Sequence, residues 1–215
     1  MNWLSLVNPD ADVYNFDANF ESEIFKSDAS HFIITEKDQF KGCLSREALD
    51  LSQKDISPKD FTNEFEIFFG QSHQNILDIF SLFANHQTNR LPILGDHHTF
   101  MGVLHLNDIF EIISETNFIS NKADTIIIRK SSIDFAYSEL FHLLESMNAK
   151  ILGSFISDHN SDFVEVFIKI KHQGLNEILQ SLRRFKYNIV SQHHEDQHEI
   201  KLKEHSAYLD KYLNI

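Results

Sequence analysis

Cysteine occurs once in the 215 residues, at Cys43, so no disulfide can form within the chain and a reducing compartment is expected. No stretch approaches the roughly 18 apolar residues that a membrane helix needs. The opening residues, MNWLSLVNPDADVYN, carry no positive n-region and no long apolar run, so no signal peptide is expected and the chain reads as cytoplasmic. Basic residues are in deficit, 19 against 32 acidic, for a formal charge of −13. That balance argues against nucleic-acid polymers and anionic lipid surfaces, both of which select clustered Lys and Arg. The surplus acid reads instead as a solubilising surface. The sequence contains no G-x-S-x-G, no P-loop and no G-x-G-x-x-G. No catalytic residue is assigned, and the chain is not expected to be an enzyme.

Apolar residues make up 42%, enough for real cores in two ordinary domains. Glycine is scarce, but two of its six occurrences mark an internal repeat. Residues 31–49, HFIITEKDQFKGCLSREAL, lie over residues 91–109, LPILGDHHTFMGVLHLNDI, at an offset of 60 without a gap. Ile33 falls on Ile93, Phe40 on Phe100, Gly42 on Gly102 and Leu44 on Leu104; upstream, Phe16 falls on Ile76 and Phe20 on Phe80. Each copy predicts helix, strand, polar turn, strand, helix. The first helix is clear in the second copy, from about Gln74 to His86, and shorter and more polar in the first, on Phe16, Phe20 and Ile24. The strands are Phe32–Thr35 and Phe40–Leu44, then Leu91–Leu94 and Phe100–Leu104. A helix closes each copy from about Ser45 or Leu106. Cys43, between Gly42 and Leu44, reads as a buried small hydrophobe rather than a nucleophile. His97 and His98 read as turn residues.

Strand, polar turn, strand, then Gly-x-x-Ser/Thr-x-x-Asp resembles a tandem CBS domain pair (Bateman module), over roughly residues 1–118, with repeat 1 at about 1–58 and repeat 2 at about 59–118. The resemblance implies an adenine nucleotide in the cleft between repeats, its phosphate on the Ser/Thr and its ribose on the Asp. A hydroxyl at a helix start joins free N–H groups aimed at an anion, and a carboxylate accepts from two hydroxyls. Each copy holds half of the motif. The first has Gly42 and Ser45 but Ala48 in place of the Asp; the second has Gly102 and Asp108 but His105 in place of the Ser/Thr. His105 as a phosphate donor and Arg90 as a source of charge complete the candidate set of Ser45, Arg90, His105 and Asp108. The plainer reading leaves Ser45 and Asp108 as helix caps or starts and Arg90 on a solvated face. AMP, ADP, ATP or S-adenosylmethionine would serve as a regulatory ligand, with no cofactor essential.

The polar stretch at 115–124 separates this pattern from another, with 119–124 as the linker. A strand at Thr125–Arg129 is followed by a helix at Ile133–Met147, capped by Ser132. A strand at Lys150–Ile156, a turn on SDHNSD and a strand at Phe163–Lys171 come next, then a helix opened by Gly174 and a strand beginning at Ile189–Val190. Val164, Val166, Ile168 and Ile170 alternate with polar residues, as in a half-exposed sheet. The order βαββαβ is the ferredoxin-like split βαβ motif. This segment, 125–215, resembles an ACT-like domain with a C-terminal helix, similar to acetoin-utilisation-B-like bacterial CBS proteins. The expected fold class is therefore α/β (α+β), a CBS pair followed by a ferredoxin-like unit. The resemblance implies a homodimer, and amino-acid binding at a glycine-bearing loop after the first strand. Here that loop, RKSSID, has no glycine.

Residues 194–198 match H-E-x-x-H, but in a wholly polar stretch at a strand end rather than on a helix, so no metal ligand is assigned. Two function classes stand: a regulatory protein sensing an adenine nucleotide or related metabolite, and a structural or protein-interaction module with degenerate sites. A metal-dependent hydrolase ranks below both.

Overall fold

The structure is a computed structural model that describes residues 2–9, 11–20, 24, 26–49 and 56–192. Contacts divide the chain into two units between Thr116 and Asn117.

The first unit is a duplicated α/β fold. Its strands are β1 (Val13–Asn15), β2 (His31–Glu36), β3 (Gln39–Ser45), β4 (Gly70–Gln71), β5 (Arg90–Leu94) and β6 (Phe100–His105); its helices are α1 (Ile76–Asn85) and α2 (Leu106–Ser114). They form two three-stranded sheets, β1-β2-β3 and β4-β5-β6. In each, a short strand runs parallel to the central one and a hairpin partner runs antiparallel. The central strands are apolar almost throughout because each has neighbours on both edges and both faces covered, and β5 is buried along its whole length. Asn75 caps α1 by accepting from the N–H groups of Leu77 and Asp78 at 2.9 and 3.0 Å. That helix drives Ile79 and Phe83 into the core.

A second pairing ties the copies together. Asn8, ahead of the first copy, exchanges both backbone hydrogen bonds with Val103 of the second; Glu66, ahead of the second copy, does the same with Cys43 of the first. Each arm therefore crosses to the opposite sheet. The crossing explains the repeated glycines. A Cβ on Gly102 would lie 2.5 Å from the Asn8 carbonyl oxygen, and one on Gly42 would lie 3.0 Å from Phe65 Cβ and 3.3 Å from the Glu66 oxygen. Only a residue without a side chain lets the arm approach.

Three sequence expectations for this unit need correction. The repeat is not gapless: Ile34 stands opposite Gly42, but Ile93, not Leu94, stands opposite Gly102. The second hairpin carries one more residue, so its central strand corresponds at an offset of 59 and the following strand at 60. The first hairpin closes on Lys37 and Asp38, both at positive φ, whereas the second passes through a 3₁₀ turn, Asp96–His98, with His97 and His98 at positive φ. The helix expected on Phe16 and Phe20 is absent among the described residues. Residues 16–20 form turns and irregular chain instead, and both Phe rings pack on the core containing Phe32 and Ile34. The helix expected after Ser45 is a single 3₁₀ turn, Arg46–Ala48, before the chain passes beyond the described residues at 50–55.

The second unit opens with a helical turn, α3 (Asn117–Ser120), which overlaps the start of the 119–124 stretch expected to be linker. It continues with β7 (Asp124–Ser131), α4 (Tyr137–Ser146), β8 (Lys150–His159), β9 (Phe163–Lys171), α5 (Leu175–Arg184) and β10 (Asn188–Ile189). The sheet order is β10-β7-β9-β8, antiparallel throughout, which is the ferredoxin-like βαββαβ arrangement. Val164, Val166, Ile168 and Ile170 face Leu140, Leu144, Ile178, Leu179 and Leu182 in one core. Two details differ from expectation. The chain after β7 turns through Ser131–Asp134, so α4 starts at Tyr137 and Ile133 is exposed. Ser132 caps nothing there; its hydroxyl donates to the Asn160 carbonyl at 2.7 Å. Strand β8 runs on through Ser157 and Asp158, and the hairpin is closed by Asn160, whose side chain accepts from Asp162 and Phe163 N–H groups. The expected C-terminal helix and the H-E-x-x-H stretch lie outside the described residues.

Among the described residues no helix is long and apolar enough to cross a membrane.

Candidate functional site

Among the described residues of the first unit, one cleft opens beside Arg90 at the start of β5, and another between His31 and Ser45, where β2 starts and β3 ends. Across β2 and β3, His31 stands opposite Ser45; across β5 and β6, Arg90 stands opposite His105. His31 and Arg90 are thus equivalent, as are Ser45 and His105.

The larger cleft, about 630 Å³, is walled by Asp12 and β1, by Phe20, Ile24, Ser27 and Asp28, and by Arg90. Arg90 is buried, and each of its three guanidinium nitrogens donates a hydrogen bond. Nε donates to Asp12 Oδ2, one terminal nitrogen to Asp28 Oδ1, and the other to the Asn89 carbonyl at 3.2 Å. A buried guanidinium needs such partners, because desolvation without them is costly. The solvated face considered for Arg90 from the sequence is therefore not what the fold provides. His105 Nε2 stands 3.6 Å from Asp12 Oδ2, with no hydrogen bond to it. Tyr14 and Phe20 meet edge to face, centroids 5.4 Å apart, on the apolar side of this cleft.

The smaller cleft, about 400 Å³, is lined by Ser30, His31, Ser45, Arg46, Glu47, Glu66 and residues 85–87. Ser45 lines it, but its hydroxyl already accepts from Glu47 N–H at 3.2 Å as the cap of the 3₁₀ turn. Arg46 turns away to the carbonyls of Ala29 (2.9 Å), Ile24 and Ser27, its guanidinium over the Phe32 ring. His31 is buried, with Nε2 3.5 Å from Glu66 and Nδ1 3.1 Å from Ser30 Oγ. Burial lowers its pKa, and the Glu66 carboxylate only partly offsets this. Cys43, beneath the crossing arm, donates to the Phe68 carbonyl, and burial pushes its thiol well above the usual range.

The four residues proposed from the sequence are thus divided. Ser45 lines the smaller cleft and Arg90 the larger; His105 stands opposite Arg90 and 3.6 Å from Asp12 but does not line the cleft. Asp108 lies in the first turn of α2, partly exposed, and lines neither cleft. Asp12, Asp28, His31 and Glu66 were not anticipated. His31 and Arg90 could have been found as a pair by allowing the one-residue gap; without it His31 falls on Leu91. Asp12 and Asp28 carry no repeat signal and reach Arg90 only through the fold. Among the described residues, no group of three or more His, Cys, Asp or Glu is placed to hold a metal ion.

No family model matches the chain, and no curated protein matches it. Solved structures similar to part of it include a CBS domain pair/ACT domain protein from Thermotoga maritima, at 22% identity over 54% of this chain and 98% of that one, TM-score 0.45. The CBS domains of a transcriptional regulator from Streptococcus pneumoniae are similar at 16% identity over 52% of this chain and 98% of that one, TM-score 0.42. The cytosolic domain of the Mg²⁺ channel MgtE in complex with ATP is similar at 14% identity over 50% of this chain and 46% of that one, TM-score 0.41.

Proposed function

We propose that the first unit is a regulatory CBS-type module that senses a small adenine-bearing ligand in its clefts. The observation that carries this reading is that the equivalent residues His31 and Arg90 each open onto a cleft in a duplicated fold whose arms cross to the opposite sheet. A ligand bridging arm and strand would favour one arrangement of the two copies, which is all that a population-shift sensor requires. The candidate contacts are Ser45 in one cleft and Arg90 in the other, with His105 beside Arg90 on β6 and Asp108 reached from α2. The candidate ligands are AMP, ADP, ATP and S-adenosylmethionine. The second unit is proposed to be an ACT-like partner domain in a cytoplasmic homodimer; its βαββαβ order supports this.

A structural or interaction module is the alternative. It is favoured by the engagement of Arg90 with Asp12 and Asp28, and of Ser45 with Glu47.

Thermal melts of the full chain with each ligand separate the two. A ligand at 100 times its Kd adds about 2.7 kcal/mol, a rise of several degrees for a chain of this size. Asp108→Ala should abolish the rise if Asp108 holds the ribose. No shift at millimolar concentration of any of them removes the sensing reading.

A further inference from the structure

Resting on that reading, we infer that the larger cleft selects a ligand whose polar end is neutral or cationic, a nucleoside-type ribose or an amine- or sulfonium-bearing one, and rejects a phosphate chain.

The charge arrangement carries this. Arg90 is the only Lys or Arg among the described residues lining the cleft, and Asp12 and Asp28 both line it. Arg90 donates to both carboxylates, so its positive charge is already matched by two negative ones that any anion would face. A phosphate monoester, carrying between one and two negative charges at neutral pH, would have to displace one carboxylate from Arg90 and then sit beside the other. Ribose hydroxyls meet no such barrier, because a carboxylate already bound to Arg retains lone pairs that accept from them. A cationic group would be attracted to the same carboxylates. Tyr14 and Phe20, meeting edge to face, supply aromatic surface on which a base could pack.

The smaller cleft repeats the pattern from different residues. Arg46 is its only Lys or Arg among the described lining residues, and it is committed to backbone carbonyls, while Glu47 and Glu66 face the space. Both clefts present two carboxylates beside a single arginine, Arg90 bonded to carboxylates in one and Arg46 to neutral carbonyls in the other.

Calorimetric titration of the full chain at pH 7.5 tests this with adenosine, AMP, ATP and S-adenosylmethionine as probes. Adenosine and S-adenosylmethionine are expected to bind at least tenfold more tightly than AMP, with ATP weakest. Asp28 exposes three-quarters of its side chain, so Asp28→Asn should fold normally. It should also narrow the adenosine-to-AMP ratio at least threefold by removing one of the two negative charges beside Arg90. Raising the salt should narrow the ratio in the unmodified protein too, because screening weakens the repulsion. If AMP or ATP binds more tightly than adenosine, this inference falls while ligand sensing stands. A ratio unmoved by both Asp28→Asn and salt also overturns it. If no adenine compound binds, the sensing reading falls and takes this one with it.

Discussion

Ser30 and Asn89 hydrogen-bond to each other across the junction of the two copies. Ser30 N–H donates to Asn89 Oδ1 at 2.8 Å, and Asn89 N–H donates to Ser30 Oγ at 2.9 Å. The residues are equivalent at the corrected offset of 59. Their carbonyls also play equivalent parts, accepting from Arg46 N–H and Leu106 N–H. The first unit is therefore held together on its own pseudo-twofold axis by a reciprocal pair immediately ahead of the two residues that open the clefts, His31 and Arg90.

Removing half of this pair should cost more than the bond itself. Asn89→Ala leaves the Ser30 N–H without its acceptor and removes the donor to the Asp28 carbonyl at 2.8 Å. A loss of about 1–3 kcal/mol is expected. In urea unfolding, Ser30→Ala with Asn89→Ala together should lose less than the two single losses combined, because each deletes the other's partner. Full additivity would show that the reciprocal geometry is not what stabilises the junction.

The arm crossing sets a hierarchy among glycines. Gly102 has φ +138, and an added Cβ would strike the Asn8 backbone, which cannot yield without losing its pairing with Val103. Gly102→Ala should cost about 2–4 kcal/mol, in the range for a strained, sterically blocked backbone site. Gly42→Ala meets the Phe65 Cβ at 3.0 Å with ordinary φ and should cost clearly less. Thermal denaturation of the two variants gives the order directly.

In the second unit Lys130 is buried on β7, where its ammonium pairs with Glu139 of α4 and lies 4.2 Å above the Tyr187 ring. Tyr187 OH donates to Glu139 at 3.1 Å. The Lys130 hydrogen bond holds the Glu139 carboxyl below its ordinary pKa, and burial raises that of Tyr187. The pair is unequal, with side chains 6% and 38% exposed. Glu139→Leu strands a buried ammonium and should cost about 2–3 kcal/mol, somewhat below the range for fully buried pairs. Lys130→Met leaves Glu139 free to turn to water and should cost less than about 1 kcal/mol. Chemical denaturation with the reverse order would mean that Lys130 contributes mainly through its charge.

His31 makes the first unit sensitive to acid. Its folded pKa lies below the unfolded value of about 6.5, so the unfolded chain binds the proton more readily. The stability tied to neutral His31 is present in full above about pH 6.5 and is lost as pH falls towards the lowered folded value. The drop in melting temperature between pH 7.5 and 5.5 should be smaller for His31→Gln than for the unmodified chain. Equal drops would assign the acid sensitivity to other histidines.

Much of this was legible along the chain. Alternation in β9 and helical spacing in α5 identified the second unit's core, because a sheet with one covered face must bury every second side chain. The repeat was visible through Gly42 and Gly102, since a position that admits no Cβ tolerates one residue type. The extra residue in the second hairpin was not visible, because a loop insertion leaves apolar patterns on both sides intact. Nor was it visible that, among the described residues, Phe16 and Phe20 pack on the core from irregular chain rather than from a helix.

Local pattern alone determined the strands β2, β3, β5, β6 and β9, the helices α1, α2 and α5, and that the first half is duplicated, because burial period and steric exclusion act on neighbouring residues. The tertiary structure decided which charges remain free. Arg90 meets Asp12 and Asp28 across 78 and 62 residues of chain, and only when the crossing arms bring them together does desolvation force them to pair. That pairing, set by proximity in space, gives the cleft its electrostatic character.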